Sequence, residues 1–273
     1  MKRGMCSLAA FALLAPFAAH SQTANTGYFS VACVKVQPGK TFAFREFAFN
    51  ESKRLMQASA DNGDVSLWML LRAVMPAGET AQCDYLSVAR YAGTPAAPAG
   101  LEKMNQILQQ SGVGGTAQEF YSRRESLVRL VSYEMWRAQH RVGLPRKGDY
   151  VAVSYLKVND WSALSDLDAN IWKPMAEERL RSRIITAWSA NRRVVPSGSD
   201  LGYQAMSVYA YPTWNAAFEY PPATEVFKKV HPGKDWDQTI GMQRKATELF
   251  RRHLYVIEEM VEPGAKASPS TSP

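Results

Sequence analysis

Trp68-Met-Leu-Leu-Arg72-Ala-Val-Met-Pro76-Ala-Gly78 is written a second time as Trp188-Ser-Ala-Asn-Arg192-Arg-Val-Val-Pro196-Ser-Gly198. Trp, Arg, Pro and Gly recur at one separation, 188 − 68 = 120. The agreement continues through Ser87, Val88 and Tyr91, which meet Ser207, Val208 and Tyr211 at the same separation of 120. Seven identities at one offset, the rare Trp among them, mark an internal repeat.

The flanks agree at shifted offsets. Tyr28-Phe-Ser-Val-Ala-Cys-Val-Lys35-Val36 matches Tyr150-Val-Ala-Val-Ser-Tyr-Leu-Lys157-Val158 at 122, and Val131, Glu134 and Met135 match Val256, Glu259 and Met260 at 125. Small changes of offset read as short insertions in connecting loops. The repeat divides the chain into units at 27–138 and 149–262, with a linker at 139–148. The tail, 263–273, has no apolar periodicity and reads as disordered.

Each unit predicts the same element order. A strand comes first, at 28–36 or 150–158, rich in residues that suit a pleated surface. A helix follows: Trp161, Leu164, Leu167, Ile171, Trp172 and Met175 recur at helical spacing behind Asp160 as N-cap. Phe44, Phe47, Leu55 and Met56 give a sparser stripe in the first unit, stopped by Asn62-Gly63. Pro174 must kink or restart its helix. Hairpins are expected at 66–75 with 83–91 and at 184–195 with 203–211. Helical stretches follow at 101–110 and 117–125, and at 214–228 and 236–252; strands at 127–136 and 253–261 close the units.

This β-α-β-β-α-β order is that of the ferredoxin-like split βαβ unit, with helices on one sheet face and the other face bare. Two bare apolar faces gain about 25 cal/mol for each Å² they bury together. The arrangement resembles the dimeric α/β-barrel superfamily, here fused into one chain. The resemblance implies an α+β fold of two ferredoxin-like units packed sheet to sheet around a central cavity. Members include cofactor-free monooxygenases, lactone isomerases, haem enzymes and proteins of unknown role, so the resemblance implies no single activity.

Composition narrows the class. With 46% hydrophobic and 21% charged residues the chain is globular rather than disordered. Lys2 and Arg3, the apolar run from Met5 to Ala19 and the small residues Ala19 and Ser21 read as a signal peptide at 1–21, cleaved before Gln22. The expected location is periplasmic or secreted. Removing two basic residues leaves 30 basic against 25 acidic, a surplus spread along the chain rather than gathered in a nucleic-acid-binding stripe. No later stretch suits a membrane span, so no stable insertion is expected after cleavage. Cys33 and Cys83 remain, in a compartment that permits a disulfide; they either bridge or pack as buried thiols, as strand register decides.

Familiar catalytic motifs are absent: there is no GxSxG elbow, P-loop, HExxH or helix-opening GxGxxG. Gly112-Val-Gly-Gly115 reads as a turn. His140, His231 and His253 are too scattered for a metal site, and His231 or His253 would meet a haem only by accident of geometry, so no cofactor is expected. Trp68 and Arg72 share a strand face, as do Trp188 and Arg192. The opposite face, Leu67, Met69, Leu71, Ala73 and Met75, is wholly apolar and predicts contact with the helices, which turns Trp68, Leu70 and Arg72 toward the cavity. An Arg beside an indole suits a carboxylate or a cation–π contact. Lys35, Lys157 and Tyr155 complete the candidate ligand-binding set. The resulting expectation is an exported barrel that binds a small apolar or aromatic molecule between its sheets, as a monomer with pseudo-dimeric halves. A cofactor-free monooxygenase or isomerase, or a structural protein with a filled barrel, are the alternatives.

Overall fold

Strand β1 (Tyr28–Val36) is buried on both sides: Phe29, Val31 and Cys33 on one, Ser30, Ala32 and Val34 on the other. A strand with two dry faces needs a layer on each. In the computed structural model one layer is helical, and the other is the interior of a closed barrel. The structure describes residues 27–91, 93–95, 100–218 and 222–264. Residues 1–21, expected as a signal peptide, and all of the tail beyond Gly264 lie outside the described residues.

The other strands are β2 (Leu67–Met75), β3 (Tyr85–Arg90), β4 (Val128–Gly143), β5 (Tyr150–Val158), β6 (Ala187–Val195), β7 (Ala205–Tyr211) and β8 (Thr247–Val261). All pairings are antiparallel and the barrel order is β1-β3-β2-β8-β5-β7-β6-β4. Taken from β4, the first four strands run 4-1-3-2 and the last four 8-5-7-6, the same order with four added. The two sheets are therefore not separate layers stacked face to face. Main-chain hydrogen bonds from β2 to β8 and from β4 to β6 join them edge to edge. Closure satisfies edge groups that stacking would leave unpaired.

Register refines the repeat. The β1–β4 ladder shifts between Cys33 and Val34, and the β5–β8 ladder between Tyr155 and Leu156. At the seams Met69 faces Met260 and Ser189 faces Arg141, so 189 − 69 = 120 while 260 − 141 = 119. Strand β8 thus corresponds to β4 at 119, not at 125. Glu134 stands where β8 has His253, and Glu259 has no glutamate counterpart in β4. The identities at 125 are coincidental. Strand β4 also runs to Gly143, through the first half of the expected linker, because its last residues pair with β6. Residues 247–252, expected in a helix, begin β8 instead: Glu248 and Leu249 pair with Lys157 and Leu156.

Helices α1 (Thr41–Phe47), α2 (Lys53–Asp61), α3 (Leu101–Ser111) and α4 (Ala117–Leu127) cover the first four strands. Helices α5 (Trp161–Leu167), α6 (Lys173–Arg181), α7 (Trp214–Phe218), α8 (Ala223–Val230) and α9 (Trp236–Ala246) cover the rest. A π-helical turn joins α1 to α2 at Ala48–Ser52, and another joins α5 to α6 at Asp168–Trp172. Asp160 caps α5 by accepting from the Ala163 amide at 3.0 Å. Pro174 sits directly after the second π-helical turn, where α6 restarts the α-helical register. Gly63, at φ 79°, turns the chain out of α2 after Asn62. Cys33 and Cys83 are joined by a disulfide, with Cα atoms 5.3 Å apart. Among the described residues no helix is long and apolar enough to cross a membrane.

Candidate functional site

The repeated tryptophans face the helices, the reverse of the parity expected from the strand pattern. Trp68 packs with Phe44, Ala48 and Val65, and its Nε1 donates to Ser87 Oγ at 2.8 Å. Trp188 packs with Ala176 and Ile185 and donates to Ser207 Oγ at 3.2 Å. The wholly apolar face, Leu67, Met69 and Leu71, lines the barrel interior. The reason is polarity. The helix side offers each indole N–H a hydroxyl partner, whereas Leu67, Met69 and Leu71 meet a mainly aliphatic interior.

The other nominated residues are dispersed. Arg72 donates to Glu258 at 2.6 Å and is 43% exposed. Arg192 lies over the Trp161 ring, 4.5 Å from its centroid. Lys35 bridges Asp84 at 3.0 Å and the Gly78 carbonyl at 2.8 Å. Lys157 pairs with Glu248 at 3.5 Å on the surface. Only Tyr155 of this group points into the barrel. There burial pushes its phenol well above the usual range, and Arg251 sits 4.8 Å from its ring. The structure does not gather the seven around one cavity.

Among the described residues, two cavities walled by the barrel and its helices stand out instead. The larger, about 420 Å³, lies between the outer face of β1–β4 and helices α1–α4. Apolar side chains such as Phe47, Leu55, Leu70 and Ile107 form most of its wall. Polar groups converge at one side: Ser30 Oγ lies 3.1 Å from Tyr91 Oη, which lies 3.5 Å from Tyr133 Oη. Burial pushes the Tyr91 phenol up to about 12, so it keeps its proton at neutral pH. Trp68 and Ser87 lie in the wall as an already bonded pair, and Lys103 is held by Asp64 at 2.8 Å.

Small residues open this cleft. Ser59 and Ala89 line it, and the second half has Arg179 and Tyr209 at the corresponding positions, 120 further on. There the guanidinium of Arg179 lies 5.7 Å from the Tyr209 ring centroid. The two halves share a frame and differ in bulk at the same two places. Identities between the repeats pass over both positions; the informative signal is this pair of mismatches.

The smaller cavity, about 120 Å³, is inside the barrel. An eight-stranded barrel holds side chains or one small ligand. Met69, Val88, Val153 and Val208 line it, with Asn191 and Tyr155 among its few polar residues and Arg90 and Arg141 at its mouth. Elsewhere the interior is filled. Glu134 accepts from Trp136 Nε1 at 3.0 Å, Tyr203 Oη at 2.6 Å and Arg193 Nη1 at 3.3 Å. Tyr203 stacks on Trp136 with centroids 6.2 Å apart. His253 bonds Tyr255 Oη at 3.1 Å, and His231 meets the Ile171 carbonyl at 3.3 Å. Among the described residues no three His, Cys, Asp or Glu side chains cluster as a metal site would need.

With this geometry, solved structures of similar architecture carry weight. A candidate monooxygenase of Lactobacillus acidophilus superposes with TM-score 0.52 at 10% identity, over 88% of this chain and 97% of that one. A candidate monooxygenase of Fusobacterium nucleatum gives 0.53 at 9%, over 87% and 94%. An anthrone oxidase-like protein gives 0.50 at 12%, over 90% and 97%. The chain shares the fold of these solved structures, and its own form of it is a closed eight-stranded antiparallel barrel covered by helices. At these identities the likeness concerns the fold alone. No protein-family model and no curated protein matches the sequence.

Proposed function

We propose that the protein binds a small, largely apolar molecule with a hydrogen-bonding end, in the cleft between the first sheet and helices α1–α4. One observation carries this reading: Ser59 and Ala89 leave space where Arg179 and Tyr209 put bulk in the second half. The cleft's volume of about 420 Å³ falls in the range of small-molecule sites, roughly 300–1,000 Å³. An apolar wall with a few convergent hydroxyls is the usual composition of such a site. Trp68 keeps its place as a ligand contact, by its ring face; its N–H is already spent on Ser87.

A second reading makes the bound molecule a substrate, oxidised by dioxygen without a cofactor. It draws on the names of the candidate monooxygenases and the anthrone oxidase-like protein that share the fold. The cleft itself favours binding over catalysis. Tyr91 is a donor rather than a base, and Lys103 is paired. Isothermal titration with 1-naphthol tests the first reading: wild type binds and Ala89→Tyr does not. Aerobic incubation with anthrone tests the second: conversion no faster than in buffer removes it.

Two further elements belong to this proposal. The chain is a tandem duplication of a ferredoxin-like module, supported by the repeated strand order and the repeated bulges. It is exported and trimmed of residues 1–21, which the Cys33–Cys83 bridge supports, because such bonds persist in oxidising compartments.

A further inference from the structure

The barrel chamber has a charged mouth that the helix–sheet cleft does not explain. Arg90 ends β3 and Arg141 lies near the end of β4, and both reach the same cavity. The halves are unequal here. The corresponding positions are Ala210, 120 after Arg90, and Met260, 119 after Arg141. One side of the rim is thus cationic and the other apolar.

The pair is poorly neutralised. Arg90 is held by Ser66 Oγ at 2.9 Å and feels Glu262. Arg141 has no hydrogen bond or ion pair from its guanidinium to any described residue. Burial, and then the neighbouring charge of Arg90, push it down to about 10. Two partly buried like charges cost free energy unless a counter-charge joins them. Guanidinium groups take carboxylates in a bidentate fork.

Deeper in, Asn191 is 4% exposed and lines the cavity. Its Nδ2 is engaged by Ser189 and by the Met206 carbonyl, while its Oδ1 is buried and accepts nothing. A buried acceptor without a donor costs about 1–3 kcal/mol. The space between mouth and acceptor is aliphatic. Its volume of about 120 Å³ is close to that of apolar cavities, about 150 Å³, that take benzene.

We propose that the barrel chamber is a second binding site, selective for a small aromatic monocarboxylate. The carboxylate lies on Arg90 and Arg141, the ring among Met69, Val88 and Val208, and a hydroxyl on the far side of the ring donates to Asn191 Oδ1.

Calorimetric titration of benzoate and 4-hydroxybenzoate into the full-length mature protein tests this. Both bind wild type, the hydroxylated acid more tightly by about tenfold, and benzamide binds at least tenfold more weakly than benzoate. Arg141→Met installs the residue found at the corresponding place in β8; it lowers benzoate affinity at least tenfold. Asn191→Asp is a charge control that lowers the affinity of both acids. Ala89→Tyr blocks the helix–sheet cleft and leaves benzoate binding unchanged, so failure of either site is seen separately. The proposal is overturned if neither acid binds at millimolar concentration, if benzamide matches benzoate, or if a folded Arg141→Met protein binds as wild type does.

Discussion

Ala89 and Tyr209 occupy the same register position in the two halves of the barrel: each pairs across its hairpin with a tryptophan, Ala89 with Trp68 and Tyr209 with Trp188. The hairpins agree in backbone and differ in the volume placed under the helices. That difference opens a cleft beside Trp68, and it supplies a substitution the frame already accommodates elsewhere. Ala89→Tyr should keep the far-ultraviolet circular dichroism of wild type and lower 1-naphthol affinity at least thirtyfold. Unchanged affinity in the folded variant would place the ligand elsewhere.

In the proposed cleft site, Tyr91 is the hydroxyl set to meet a ligand's polar end. Tyr91→Phe removes it while keeping the ring, at about 1 kcal/mol for a neutral hydrogen bond. The affinity for 1-naphthol should fall about fivefold, by that same energy, and the affinity for naphthalene should not change. Equal losses for the two compounds would mean that Tyr91 acts only by shape.

The Cys33–Cys83 bridge closes a loop across 50 residues of sequence between β1 and the approach to β3. Loop-closure entropy gives such a bond about 4 kcal/mol. Urea unfolding of the Cys33→Ala/Cys83→Ala protein should show a midpoint lowered in proportion, with barrel content retained at zero denaturant. A midpoint equal to that of the oxidised wild type would show that side-chain packing alone fixes this end of the barrel.

Asp168 opens the second π-helical turn, and burial raises its carboxyl from 3.8 to about 7. The folded state therefore holds this proton more tightly than the unfolded chain does. Its contribution is most favourable below pH 4, declines as pH rises from 4 to 7, and is constant above that. Asp168→Asn should add nothing at pH 4 and raise stability at pH 8, by at most about 4 kcal/mol. An equal effect at both pH values would contradict the burial argument.

Much of the architecture can be read from the repeat. Strands β1 and β5 begin and end where their apolar runs do, because both faces are buried and no alternation is needed. Facing is less legible. Leu67, Met69 and Leu71 form a dry surface that would suit a helix layer or a barrel interior equally, and only closure of the barrel decides between them. The 125 offset fails because bulges and seam pairing, not side-chain identity, set the alignment of β4 with β8. Tyr155 is placed in the interior by its position opposite Arg251 in the β5–β8 ladder. The cleft and the charged mouth are hidden in the sequence for a common reason. They arise where the halves disagree, at Ser59, Ala89, Arg90 and Arg141, and repeat identities say nothing of such positions.

A crystal structure of the mature protein soaked with 1-naphthol bears on the proposed cleft without an intermediary. The ring should lie under helices α1–α4 against Trp68, with its hydroxyl within hydrogen-bonding distance of Tyr91. Difference density confined to the second half or the outer surface, or no density in a cleft that lattice neighbours leave open, would contradict this assignment.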